Sequence, residues 1–127
     1  MKKALVTGGI FAMLAVALGA FGAHALKTTL GDYQPTYETG VQYQMFHAVA
    51  ILISGILLEK TGSGFFTAAC WCFSLGIVIF SGSLYVLSIT KIAILGAITP
   101  IGGVLFIVGW LLFIIGSTKE RSIFARF

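Results

Sequence analysis

The 127-residue chain is predicted to be an all-α integral membrane protein: a four-helix up-down bundle, one transmembrane domain over residues 1–127, with N-terminus and C-terminus cytoplasmic. Three observations predict this. Hydrophobic residues make up 58% of the chain and charged residues 9%, whereas about a quarter of a soluble domain is charged. The apolar residues come in runs long enough to cross a bilayer, not scattered at the spacing of a soluble core. The basic residues sit at the ends of those runs.

The first span covers Ala4–Ala25 and carries small residues Gly8, Ala12, Ala15, Gly19 and Ala23 on one face. Lipid tails are as apolar as leucine, so inserted helices associate through close backbone approach at such residues. Lys2-Lys3 and the triplet Ala23-His24-Ala25 also fit a secretory signal with an A-x-A cleavage site. The stretch is longer than a usual signal core and three further spans follow, so the expectation is a retained first helix. A polar loop through Lys27–Asp32 leads to the second span, Tyr37–Leu58. A turn at Glu59–Gly64 precedes the third, Phe65–Ile89, and a minimal link at Thr90-Lys91 precedes the fourth, Ile92–Gly116. Links this short make neighbouring helices antiparallel. The third helix has Ala68, Cys72 and Gly76 at steps of four, and the fourth has Gly102, Gly109 and Gly116 at steps of seven. These seams exceed what one bundle needs internally, which predicts a homo-oligomer weakened by Gly109→Leu. Pro100, inside the fourth span, predicts a kink.

Orientation follows from the basic residues. With the N-terminus inside, Lys2, Lys3, Lys60, Lys119, Arg121 and Arg126 are cytoplasmic, and only Lys27 and Lys91 are outside. This is the bias of the positive-inside rule, and it places both termini in the cytoplasm. The net charge of +4 forms no stripe along a face, which excludes a nucleic-acid surface. Cys70 and Cys72, two residues apart on a helix, point to different sides and cannot share a metal or a disulfide. No phosphate loop, nucleophile elbow or zinc-protease motif occurs, and neither a cofactor nor a metal is expected.

Chemistry, if present, concentrates in Tyr37–His47. Polar side chains at membrane depth are costly unless paired. Glu38 and Gln42 are one turn apart, while Tyr43, Gln44, His47 and Ser54 share a face at helical spacing. His47 lies about 10–15 Å from the outer interface at 1.5 Å per residue, and is expected as a neutral imidazole hydrogen-bonded on at least one nitrogen. His24 should face Glu38–Gln42, too far above His47 for both to hold one metal or haem. Ser81, Tyr85 and Ser88 from the third helix and Thr99 from the fourth lie in the same outer half, with Tyr85 or Thr99 expected to reach His47. The candidate ligand-binding set is therefore His47, Gln44, Tyr43, Gln42, Glu38, His24, Tyr85 and Thr99. It is read either as a vestibule or as a hydrogen-bond network that fixes helix register.

Four motifs, Gly19–Leu26, Tyr37–Ala48, Gly82–Tyr85 and Ile98–Gly103, occur in order along essentially the whole chain. Together they resemble the YwdK/YgdD-type family of small bacterial membrane proteins, a domain of unknown function with a mitochondrial animal relative. The resemblance implies a four-span inner-membrane protein and supplies no reaction or binding residue. Three functional classes remain: a non-enzymatic self-associating membrane module, favoured by the seams; a small transporter or binding protein for a small molecule or lipid, with an outward-facing polar vestibule; and a membrane redox or enzyme subunit. The inner halves of the helices offer little polar lining beyond Thr7, Thr67 and Ser74, which weighs against a transport path through one copy.

Overall fold

A computed structural model describes residues 1–119; Arg121 and Arg126, used in the orientation count, lie outside the described residues. Helix α1 spans Lys2–His24, and a short helix α2 (Lys27–Leu30) and a 3-10 turn (Gly31–Tyr33) replace the expected polar loop. Helix α3 runs Gln34–Thr61, α4 Gly64–Gly76 and α5 Gly82–Thr90, with a π-helical turn at Ile77–Ser81 between the last two. A second 3-10 segment, Ala93–Ala97, precedes α6, Thr99–Lys119. Among the described residues, four stretches are long and apolar enough to span a membrane: Lys2–His24, Lys27–Thr61, Gly64–Thr90 and Ala93–Lys119.

Each boundary has a local cause. Gly62 ends α3 at φ 67°, the left-handed conformation that favours glycine. The Ser63 hydroxyl then caps α4 by accepting from the Phe65 amide at 3.3 Å. Lys91 ends α5 at φ 61°, where a side chain carries a steric cost that glycine avoids. Pro100 corrects one expectation: it does not kink a spanning helix but lies in the first turn of α6. Its missing amide and fixed φ suit a helix start, so the chain enters through a 3-10 segment instead of bending later.

Helix α3 is the centre. On one side Gly8 of α1 meets the Leu52 side chain and the Ala48 carbonyl, Gly19 meets Val41, and Gly22 meets the Tyr37 ring. The positions descend on one helix as they ascend on the other, so the pair is antiparallel. The buried small residues of α1 are Gly8, Ala15 and Gly22, while Ala23, assigned to the ladder from sequence, is exposed. A 3.6-residue turn drifts away from steps of four, and the seventh residue returns to the seam.

The α4–α6 contact has a different grammar. Gly102, Gly109 and Gly116 of α6 lie against Phe80, Phe73 and Phe66, themselves seven apart, and Gly76 in turn receives Phe106. Each ring thus fills the space that a missing side chain opens on the antiparallel neighbour. The Gly109 seam is therefore closed within one chain. Cys70 faces the Ile51 carbonyl of α3, with Sγ 3.8 Å away, and Cys72 lies against Gly109 of α6, so the two thiols face different helices. Phe66, Phe73, Ile77 and Phe106 are nearly or fully buried.

Candidate functional site

The candidate residues divide into a buried set and an exposed one. The His47 ring, 5% exposed, is held on both nitrogens. Nδ1 lies 2.8 Å from the Tyr43 carbonyl oxygen, which only accepts, so Nδ1 carries the proton. Trp110 Nε1–H, which only donates, points at Nε2 from 3.0 Å, so Nε2 offers a lone pair. The neutral tautomer follows from these two partners. Phe106 stacks on the imidazole with ring centres 3.7 Å apart and planes 10° from parallel. Both ring nitrogens of His47 thus have partners within the chain.

Gln44 is equally committed. Its amide nitrogen donates to the Phe11 carbonyl of α1 at 2.8 Å, and its oxygen accepts from the Tyr85 hydroxyl of α5 at 2.6 Å. Tyr37 donates to the Leu18 carbonyl at 2.7 Å, and its ring lies 5.2 Å from that of Tyr85. Ser81, at the end of the π-helical turn, donates to the Gly40 carbonyl at 2.6 Å. A wide turn of this kind re-aims side chains within a helix, and here the aimed hydroxyl joins α3 at the glycine that admits the Tyr85 ring. Thr99 pairs with Ser83 at 2.6 Å rather than reaching His47. Tyr85 likewise serves Gln44, and the histidine's partner from another helix is Trp110. Ser88 bonds the Leu84 carbonyl of its own helix. Ser54 is buried, with its hydroxyl unbonded among the described residues.

The remaining candidates do not join this network. His24 and Glu38 are exposed, and Glu38 accepts a 3.4 Å bond from Gln34, one turn away, not from Gln42. Tyr43, predicted on the same face as His47, is 43% exposed and packs its ring 4.6 Å from Phe80. Gln42 is exposed beside it. Adjacent helical residues point about 100° apart, so the polar run Gln42-Tyr43-Gln44 is split between the outside and inside of the bundle. Two recesses flank this stretch of α3. One of about 710 Å³ lies toward α6 and is lined by Tyr43, His47, Pro100 and Val104. The other, of about 940 Å³, lies toward α1 and is lined by Val16, Gly19 and Val49. Gln42, Phe46 and Trp110 border both. Among the described residues, no group of three or more His, Cys, Asp or Glu converges as a metal site.

These features define a polytopic membrane protein whose helices are tied together by buried polar pairs and glycine–aromatic seams. The profile of the family described as "Protein of unknown function (DUF423)" matches residues 18–103. UPF0382 membrane protein YwdK of Bacillus subtilis (strain 168) is 50% identical over 121 residues, covering 94% of this chain and 98% of that protein. UPF0382 membrane protein SH2409 of Staphylococcus haemolyticus is 48% identical over 120 residues, and a UPF0382 membrane protein of Staphylococcus epidermidis is 49% identical over 120; each match covers 94% of this chain and 98% of the relative. The chain belongs to the UPF0382 (DUF423) family of membrane proteins. No solved structure matches it.

Proposed function

We infer that the protein is a non-enzymatic, self-associating structural module of the bacterial plasma membrane, an up-and-down bundle with both termini cytoplasmic. One observation carries the non-enzymatic reading. The groups best suited to chemistry, His47, Gln44 and Tyr85, are committed to contacts that join α3 to α1, α5 and α6. Buried polar pairs of this kind specify helix register. The bacterial relatives, named as membrane proteins, support the compartment. The antiparallel α1–α3 and α4–α6 pairs and the six-to-two distribution of basic residues support the topology.

Self-association is tested by incorporating singly labelled protein into liposomes and counting photobleaching steps as the protein is diluted into lipid. Two or more steps per spot at low density are expected; one step at every density overturns that reading. Topology is tested with single cysteines in a chain whose native cysteines are replaced. Cysteines at Ser63 and Ser117 should react only from the cytoplasmic side, and one at Gly31 only from outside. Outside labelling at Ser63 reverses the assignment.

The recesses bordered by Gln42 and Tyr43 favour a second reading, a binding protein for a small molecule or lipid. Native mass spectrometry from bilayers tests it. A retained adduct lost on substitution of both residues supports ligand binding, and bare protein supports the structural module.

A further inference from the structure

Thr7, Thr67 and Ser74 stand apart from the polar network around His47, and the fold brings them to one recess of about 540 Å³. Helices α1 and α4 both pack on α3 and scarcely touch each other. A furrow therefore opens between them, floored by Ile51 and Leu58 of α3. Ser74 bonds back to the Cys70 carbonyl at 2.7 Å. The Thr7 and Thr67 hydroxyls have no partner among the described residues.

The chemistry of the recess changes with depth. Lys2 and Lys3 line its mouth at the first turn of α1, and neither has a partner among the described residues. Among those residues Glu59 is the acidic group at this end, and it does not line the recess. Thr67 lies about 5 Å along α4 from its start at Gly64, and Thr7 about 8 Å along α1 from Lys2. Trp71 follows Thr67 by one turn, about 10 Å from the start of α4. It is 66% exposed, and its indole N–H has no partner among the described residues. An indole settles where its body meets hydrocarbon and its N–H meets polar groups.

We propose that this recess holds one anionic phospholipid from the leaflet at that end. Lys2 and Lys3 pair with the phosphate, while Thr7, Thr67 and the Trp71 N–H donate to the glycerol ester oxygens. An acyl chain then lies along α4 beyond Trp71. Every one of these protein groups can donate, and a phosphate diester and its carboxylic esters only accept. Phosphate, esters and hydrocarbon succeed one another with depth in a lipid, as lysines, donors and apolar floor do in the recess. A soluble anion would serve the lysines and leave the deeper donors facing tails. Basic recesses between spans suit anionic headgroups in this way. The site is additional to the structural role above and lies away from the recesses beside Gln42.

The test uses the full chain in liposomes with Trp110→Phe, which leaves Trp71 as the one tryptophan. Its fluorescence is quenched by phosphatidylglycerol with brominated chains, and in parallel by brominated phosphatidylcholine at the same fraction. A preference of up to about thirtyfold for phosphatidylglycerol is expected, at about 1 kcal/mol for each lysine. Lys2→Gln with Lys3→Gln should remove the preference, and Lys2→Arg with Lys3→Arg should keep it. Lys27→Gln with Lys91→Gln, at the opposite end of the bundle, should also keep it. Thr67→Phe narrows the recess and retains every charge, so it should remove the preference too. It decides alone if the lysine variant does not insert. Equal quenching by the two lipids overturns the site. A preference kept in Thr67→Phe reduces it to attraction by surface lysines and overturns the recess as the binding place. A preference removed by inorganic phosphate at constant ionic strength assigns the lysines to a soluble anion and overturns the lipid.

Discussion

Gly102→Ala is expected to destabilise the bundle by about 1–3 kcal/mol, the usual cost of overpacking a closed interface, and Gly102→Leu to abolish it. A β-carbon at Gly102 would fall on the backbone nitrogen of Phe80 and 2.8 Å from its Cα. Backbone cannot swing aside as a side chain can, so α6 must move away from the π-helical turn. That movement also strains the Ser83–Thr99 pair at 2.6 Å and the Phe106 ring that fills the space beside Gly76. A β-carbon at Gly109 would lie 2.7 Å from the Phe73 ring, and a ring can rotate, so Gly109→Ala should cost less. Gly9 has nothing within 4 Å of the added carbon. Gly9→Ala should therefore be neutral, or more stable by up to about 1 kcal/mol through helix propensity. Unfolding in mild detergent titrated with a denaturing one ranks the four variants. Equal stability of Gly102→Ala and Gly9→Ala would show that the α4–α6 seam is looser than described.

His47→Leu is expected to cost about 2–3 kcal/mol, because it removes an aromatic stack and leaves the Trp110 indole N–H without an acceptor. His47→Gln keeps an acceptor and a donor and should lose less. Trp110→Phe leaves Nε2 of His47 unpartnered and should cost about 1–2 kcal/mol by the same reasoning. The informative variant carries His47→Leu and Trp110→Phe together. With both partners apolar no orphaned group remains, so the double variant should be less destabilised than the sum by about 1 kcal/mol, within the range for coupled membrane residues. Strict additivity would mean that the 3.0 Å contact contributes nothing to the fold. The same variants separate structure from activity: a function lost in His47→Gln while stability holds would return His47 to the list of binding groups.

The four spans were legible because hydrocarbon thickness imposes a length, and composition cannot disguise it. Their ends were less so. The extra turn of α3 before Tyr37 and the folded segment at Lys27–Tyr33 are polar enough to read as loop. Pro100 read as a kink because proline signals both a bend and a start, and only the preceding 3-10 segment decides between them. The polar stretch Tyr37–His47 stood out by its spacing, but a helical run shows spacing and not which neighbour each face meets. Gln44 found α1 and α5, while Tyr43 turned outward. Trp110 was missed because an indole in an apolar span reads as bulk, although its N–H needs an acceptor when buried. The phenylalanines at 66, 73 and 80 carried a visible signal, since their spacing repeats that of the glycines at 102, 109 and 116. Comparing the periods of two spans, rather than reading each alone, would have paired them.

That shared period leaves an ambiguity for the folding chain. Slide α6 along α4 by seven residues, about 10 Å at 1.5 Å per residue, and Gly109 meets Phe80, Gly116 meets Phe73, and Phe113 comes opposite Gly76. A repeating interface behaves as a ratchet, holding firmly at each notch without choosing among them. The choice falls to what does not repeat. Thr99 finds the Ser83 hydroxyl in one setting, and in the shifted one it would come level with Thr90 instead. In this protein one hydroxyl pair near the outer end of the interface selects the alignment of the rings and glycines packed along it, so removing that pair would relax register without touching a single ring or glycine of the seam.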